Sequence, residues 1–201
     1  MSLTSRLIVC LCPFILLSGC SIAPLNSPDN GRTLGEGQAE YAYAVNQLTI
    51  AHGVSEDVDI GLGVEVQFEA VYNVWVKKGF YYDEESGHAL SGLAGIFYAD
   101  DSGDSQGYYF GPSYSKKGDN WEFYTTLRYN HVYWNGLETV AEDDQDDLID
   151  VFDREDEDFG YLQTSLGFQY HFADNYTFKL GAICLGTTPE CMPVLGIAFR
   201  P

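Results

Sequence analysis

Between Trp121 and Tyr133 the chain alternates with period two for longer than an ordinary strand requires. One register holds Trp121, Phe123, Thr125, Leu127, Tyr129, His131 and Tyr133, and the other holds Glu122, Tyr124, Thr126, Arg128, Asn130, Val132 and Trp134. Side chains of a β-strand point alternately to opposite faces, so this is a strand with one largely apolar and one largely polar face. Twelve residue steps at about 3.3 Å each give roughly 40 Å. With a tilt of roughly 40° that rises about 30 Å, the thickness of a bilayer's hydrocarbon core, with an aromatic residue at each end. The pattern returns after an acidic run, as Leu162, Thr164, Leu166, Phe168, Tyr170 and Phe172 against Gln163, Ser165, Gly167, Gln169 and His171.

The rest of the chain reads the same way. Alternating or apolar segments at about residues 39–45, 48–52, 58–68, 69–76, 89–99, 108–115, 176–182 and 194–199 bring the number of strands to ten. Residues 77–88 read as a long turn. Pro112 removes a ladder hydrogen bond, which predicts an irregularity there. The expected fold is all-β, an up-and-down antiparallel transmembrane β-barrel with an N-terminal lipid tether. A soluble calycin-like barrel around an apolar ligand is the alternative that alternation alone leaves open; it reverses the two faces. Glu65, Glu122, Arg128, His171 and Lys179 fall on the face opposite the apolar one, and are expected to fill the lumen as mutually paired charges. Tyr109 and Gln169 should also point inward, whereas His52 and His131 fall on the apolar face.

The first residues do not belong to that domain. Arg6 precedes an apolar run from Leu7 to Leu17, too short for a comfortable membrane helix. Leu17-Ser18-Gly19-Cys20 then resembles the bacterial lipobox. The resemblance implies cleavage before Cys20 and acylation of that residue, and Ser21 in the next position implies outer-membrane rather than inner-membrane delivery. Residues 1–19 are accordingly read as a lipoprotein signal peptide, 20–37 as a lipidated flexible tether, and 38–201 as the barrel. A second resemblance lies in Gly31-Arg32-Thr33-Leu34-Gly35-Glu36-Gly37 and in Gly53-Val54-Ser55-Glu56-Asp57-Val58-Asp59-Ile60-Gly61-Leu62-Gly63. Both look like the opening of small, mostly uncharacterised bacterial outer-membrane β-barrel proteins. That family implies the fold and location and no catalytic residues.

Charge and cysteine content narrow the function. A net charge of −20 makes nucleic acid an unfavourable partner. Much of that charge lies in the acidic loop 138–158, where Asp143, Asp144, Asp146, Asp147 and Asp150 are oxygen ligands of the kind Ca²⁺ or Mg²⁺ takes. The glycine of an EF-hand bend is missing, so the expectation is a solvated, repulsive loop or weak, multi-site cation binding, with no tightly held cofactor. Cys184 and Cys191 flank a short turn; in an oxidising compartment they form a disulfide, the alternatives being free thiols or half a metal site. No spacing of Ser and His reproduces a hydrolase signature, so no catalytic residue is assigned. The sequence predicts a non-enzymatic lipoprotein of the bacterial outer membrane, in contact with its lipids. Its role would be structural or surface interaction with a surface or periplasmic protein. The alternative is a narrow conduit for small solutes.

Overall fold

The computed structural model describes residue 24 and residues 30–44, 47–66, 70–100, 105–134, 157–186 and 191–201. Cys20 and Asp143, Asp144, Asp146, Asp147 and Asp150 lie outside the described residues, as does the rest of the acidic loop up to residue 156. The strands are β1 (Ala39–Ala44), β2 (Gln47–Ser55), β3 (Val58–Val66), β4 (Ala70–Tyr82), β5 (His88–Asp100), β6 (Ser105–Lys117), β7 (Trp121–Trp134), β8 (Glu157–Ala173), β9 (Tyr176–Leu185) and β10 (Cys191–Phe199). Each pairs antiparallel with its sequence neighbours, and β1 pairs with β10, so the sheet closes into an up-and-down barrel.

The two faces are inverted relative to a soluble protein. Leu62, Val74, Ile96, Leu127 and Leu166 are exposed, Ile96 to 64%. Asp59, Glu65, Glu122, Arg128, Asn130 and Gln163 are buried, each at 2% or less. A barrel that solvated its outside and packed its core with hydrocarbon would show the opposite, which excludes the soluble-barrel arrangement. Lipid, not water, stabilises this exterior, and the polar and charged side chains are gathered inside the wall. Aromatic side chains mark both rims of the apolar band. At one rim Trp121 stacks on Phe168 and Tyr176 packs between Phe172 and Phe199. At the other, His131 lies between Tyr108 and Tyr133, its Nε2 2.8 Å from Asp158.

Inside the wall, bulky residues on one strand lie over glycines on the next. Trp75 covers its ladder partner Gly61, Tyr109 covers Gly95, and Tyr124 covers Gly167. A methyl group at any of these glycines would overlap the ring. The glycines between polar residues on the inner face are therefore sockets for Trp75, Tyr109 and Tyr124.

Two expectations need correction. Residues 77–88 are not a long turn: β4 runs on to Tyr82 and only Asp83–Gly87 connects it to β5. The apolar stretch before Lys77 hides the phase, because two of its three inward side chains (Val71 and Trp75, with Asn73 between them) are as apolar as its outward ones. Beyond Lys77 a bulge between Gly79 and Tyr81 breaks the alternation. The other correction concerns the tether, since Asn30 to Leu34 sit inside the barrel rather than free beside it. Gly111 and Pro112 do interrupt the β6–β7 ladder, which passes from Phe110–Tyr129 to Ser113–Thr126 without losing register.

Cys184 and Cys191 are directly opposed in the β9–β10 ladder and are joined by a disulfide. With seven residues of separation, closure of so short a loop restricts the unfolded chain enough for about 2–3 kcal/mol. Replacing both cysteines by serine should leave the barrel closed but lower its unfolding free energy by about that amount in a urea titration.

The Asp83 turn supplies a pH test. Its carboxylate accepts hydrogen bonds from Ser86 Oγ (2.6 Å) and from the backbone N–H of Glu85 and Ser86, and these hold its pKa below the usual value. A depressed pKa stabilises the turn above the ordinary Asp value of about 3.9 and withdraws that support as pH falls through the lower folded value. Amide protection at Glu85 and Ser86 should therefore persist from neutral pH to about pH 4 and fall below it, whereas Asp83→Ala should lose protection at every pH.

Candidate functional site: the lumen and its N-terminal strap

Up-and-down topology puts the connections Glu56–Asp57, Asp83–Gly87, Gly118–Asn120 and Asp174–Asn175 at one end of the barrel, here the turn end. The strap formed by Asn30 to Leu34 enters the lumen there. Gly35 and Gly37, with φ of 91° and 74°, reverse it into β1, and Gly37 N–H and Gln38 O both bond to Gly53. Such positive φ values suit glycine, and a side chain at either position is strained.

Every residue of the strap has its own seat. Lys77 Nζ donates to Asn30 Oδ1 (3.1 Å) and pairs with Asp59 at 3.3 Å. Arg32 Nε pairs with Glu122 at 3.1 Å, its Nη2 donates to Gly87 O at 2.7 Å, and its guanidinium lies 4.4 Å from the Tyr82 ring centre. Thr33 Oγ1 donates to Glu56 O, and Leu34 N–H donates to the Asp59 carboxylate at 2.9 Å. The bonds of Asn30, Arg32 and Leu34 are charge-assisted and at least partly buried, where each contributes more than on an open surface, whereas the Thr33 bond is neutral and exposed.

Three further groups fill the interior. Glu40 on β1 pairs with Lys179 on β9 at 3.1 Å and with Arg200 just past β10 at 2.8 Å, bracing the two sides of the closing ladder. His171 Nδ1 is 2.8 Å from Thr177 Oγ1, and its Nε2 is 3.9 Å from Glu122, on the edge of the Arg32 pair. Halfway along β7, Arg128 donates to Gln163 Oε1 at 2.6 Å and to the carbonyl of buried Pro24, and its guanidinium lies 4.5 Å from the Tyr109 ring centre. The strap thus lies at the turn end, and Pro24 meets Arg128 at mid-height. A cavity of about 40 Å³ remains beside them, lined by Glu40, Asp59, Lys77, Lys179 and Arg200. At roughly 10–15 Å³ per water that is room for about three waters.

The structure thus places Glu65, Glu122, Arg128, His171 and Lys179 all on the lumen side, but in separate groups. Glu122 meets His171 and the strap, Lys179 meets Glu40, and Arg128 meets Gln163 and Pro24. Glu65 is buried at 1% exposure. Sequence reading missed Arg32, Asn30 and Lys77. Asp59 was legible from alternation as an inward carboxylate. Arg32 and Asn30 lie in an aperiodic stretch, where nothing shows that a barrel mouth will receive them. Among the described residues no group of three or more His, Cys, Asp or Glu side chains could hold a metal ion.

A closed antiparallel barrel with an apolar skin and a polar, charge-paired interior is a transmembrane β-barrel. No protein-family model matches the chain, and no curated protein matches it in sequence. Two solved structures similar to it are the N-terminal β-barrel domain of Pseudomonas aeruginosa OprF and a KdgM porin in complex with disordered oligogalacturonate. The first is 12% identical, covers 83% of this chain and 99% of its own, and has a TM-score of 0.34. The second is 7% identical, covers 81% and 96%, and has a TM-score of 0.42.

Removing one partner of a buried ion pair leaves the other buried without its counter-charge. Lys77→Met should destabilise the barrel by about 3–5 kcal/mol, because Asp59 stays buried without its cation. Adding Asp59→Leu should recover part of that loss, measured as a double-mutant cycle in urea unfolding. Equal losses in the single and double variants would mean that the pair is already solvated.

Proposed function

We propose that the protein is an outer-membrane lipoprotein β-barrel, tethered through Cys20, with a closed lumen and a structural or surface-interaction role. The single observation that carries closure is the occupation of mid-lumen by Arg128, Gln163, Tyr109 and the Pro24 carbonyl, which meet one another across it. A conducting bore needs a continuous file of water or hydrated ions, and paired charges packed across the axis oppose one. With Cys20 held in the periplasmic leaflet, the turn end faces the periplasm and the loop bearing residues 138–158 faces outward. That anionic loop is the proposed contact surface, acting on a surface partner through weakly bound Ca²⁺ or Mg²⁺. The proposal is of a non-enzymatic protein in contact with outer-membrane lipids.

A conduit is the second reading, and one observation favours it. The strap is held by side-chain bonds and not by a strand ladder, so it can leave without unzipping the wall. Planar-bilayer recording of the purified protein separates the two, with and without Ca²⁺ and beside a variant lacking residues 138–158. Closure predicts no steady conductance in either protein, and cation binding that disappears with the deletion. Steady conductance that the deletion enlarges would replace the closed barrel by a gated pore. Intact-mass analysis tests the anchor independently: the exported protein should begin at Cys20 and carry diacylglycerol, and Cys20→Ala should carry none while still requiring detergent.

A further inference from the structure

The strap occupies its position as a ligand occupies a site. The barrel closes through β1 and β10 without it, and none of residues 30–34 belongs to a strand. Its five residues nevertheless fall into five chemically distinct seats at the turn-end mouth. A cation, Lys77, meets the amide of Asn30. A slot formed by the Ala89 carbonyl and the Ser115 backbone nitrogen admits only glycine: a Cβ at Gly31 would stand 2.5 and 2.7 Å from those atoms. An acidic and aromatic clamp of Glu122, the Gly87 carbonyl and Tyr82 takes the guanidinium of Arg32 from three sides. The Glu56 carbonyl takes a hydroxyl, and Asp59 takes a backbone N–H whose side chain, Leu34, packs against the apolar cluster around Trp75 and Leu93.

We propose that this mouth is a peptide-binding site with the preference glycine, arginine, hydroxyl residue, leucine, and that the chain's own residues 30–34 fill it as a displaceable occupant. Its ligand is an extended segment of that chemistry, supplied in cis by the strap and in trans by the same segment of a second copy. Specificity resides in two seats. The glycine slot rejects any side chain by overlap with backbone, which cannot yield. The clamp distinguishes arginine from lysine or glutamine, because its carboxylate, carbonyl and ring need the planar donor fork together. Covalent linkage through Gly35 to Gly37 gives the strap an effective concentration of the order of millimolar, so a free peptide competes poorly until the cis segment is weakened. Release would clear the turn-end half of the lumen, a consequence that rests on the closed-lumen reading; the binding itself does not.

Gly31→Val in the full chain provides the test, since it expels the strap by steric overlap and alters no strand residue. A fluorescently labelled Asn-Gly-Arg-Thr-Leu-Gly peptide is titrated to millimolar concentration against detergent-solubilised protein, and anisotropy reads binding. The Gly31→Val protein should bind the peptide at least tenfold more tightly than the unmodified protein, whose site is filled. Adding Glu122→Gln, or using a peptide with arginine replaced by glutamine, should weaken binding at least tenfold. The inference is overturned if the folded Gly31→Val barrel, recognised by heat-modifiable gel migration, binds no better than the unmodified protein. It is overturned equally if a peptide with valine in place of glycine binds as well. Should Gly31→Val fail to fold, Arg32→Gln loosens the strap without overlap and is held to the same outcomes. Conductance of the unmodified protein bears on closure alone, so the closed-lumen reading and the peptide site can fail separately.

Discussion

Backbone hydrogen bonds that have no water to fall back on govern this structure. In hydrocarbon an unpaired N–H or C=O costs several kcal/mol, so a sheet in lipid must have no open edge. Here that requirement is met where β1 meets β10, a ladder that among the described residues runs from Tyr41–Phe199 to Ala44–Gly196. The β7–β8 ladder, by contrast, runs from Trp121–Tyr170 to Trp134–Glu157. The weakest join is therefore also the one that makes the barrel a barrel. The ion pairs of Glu40 with Lys179 and Arg200 lie across it and hold β1 to β9 and the end of β10 by side chains where the ladder is short.

Once the wall is closed, the lumen has to be filled, and the chain uses two kinds of filler. On the β2 and β4–β7 side it is apolar and aromatic, with Val71, Trp75, Leu93, Phe97 and Tyr109 packed together and Trp75, Phe97 and Tyr109 seated on glycines of neighbouring strands. Along the axis it is polar, and there the wall supplies carboxylates and amides for which the strap brings partners. Glu122 and Asp59 are each satisfied in part by atoms of residues 32 and 34. The N-terminal segment thus completes the electrostatics of an interior that the strands leave unfinished.

Much of this was legible in the sequence. Period-two alternation in β3, β7 and β8 fixes which side chains face lipid, and so places Glu65, Glu122 and Arg128 inside. The pairing of Cys184 with Cys191 follows from two strands meeting across a short turn. Strand boundaries failed where chemistry is uniform on both faces, as in β4, or where a bulge resets the phase, as at Gly79 to Tyr81. The strap was illegible for a different reason. Its seats are assembled from β3 to β7 and from the turns at Glu56 and Gly87, and composition rich in Gly, Asn and Pro describes a free linker equally well.

The unequal strand lengths have a consequence for the surrounding bilayer. Counted over the described residues, β4 to β7 have 13 or 14 residues each, whereas β1 has 6 and β2, β3 and β10 have 9. At about 3.3 Å per residue and a tilt of roughly 40°, the long wall stands about 33–35 Å high and the short one only about 15–23 Å. A hydrocarbon core of about 30 Å matches the first and overshoots the second. Lipid beside the β10–β1–β2 side must compress, or the barrel must lean until that side lies deeper. Hydrophobic mismatch is thereby concentrated at the seam, and membrane thickness becomes a load on the one ladder least able to carry it.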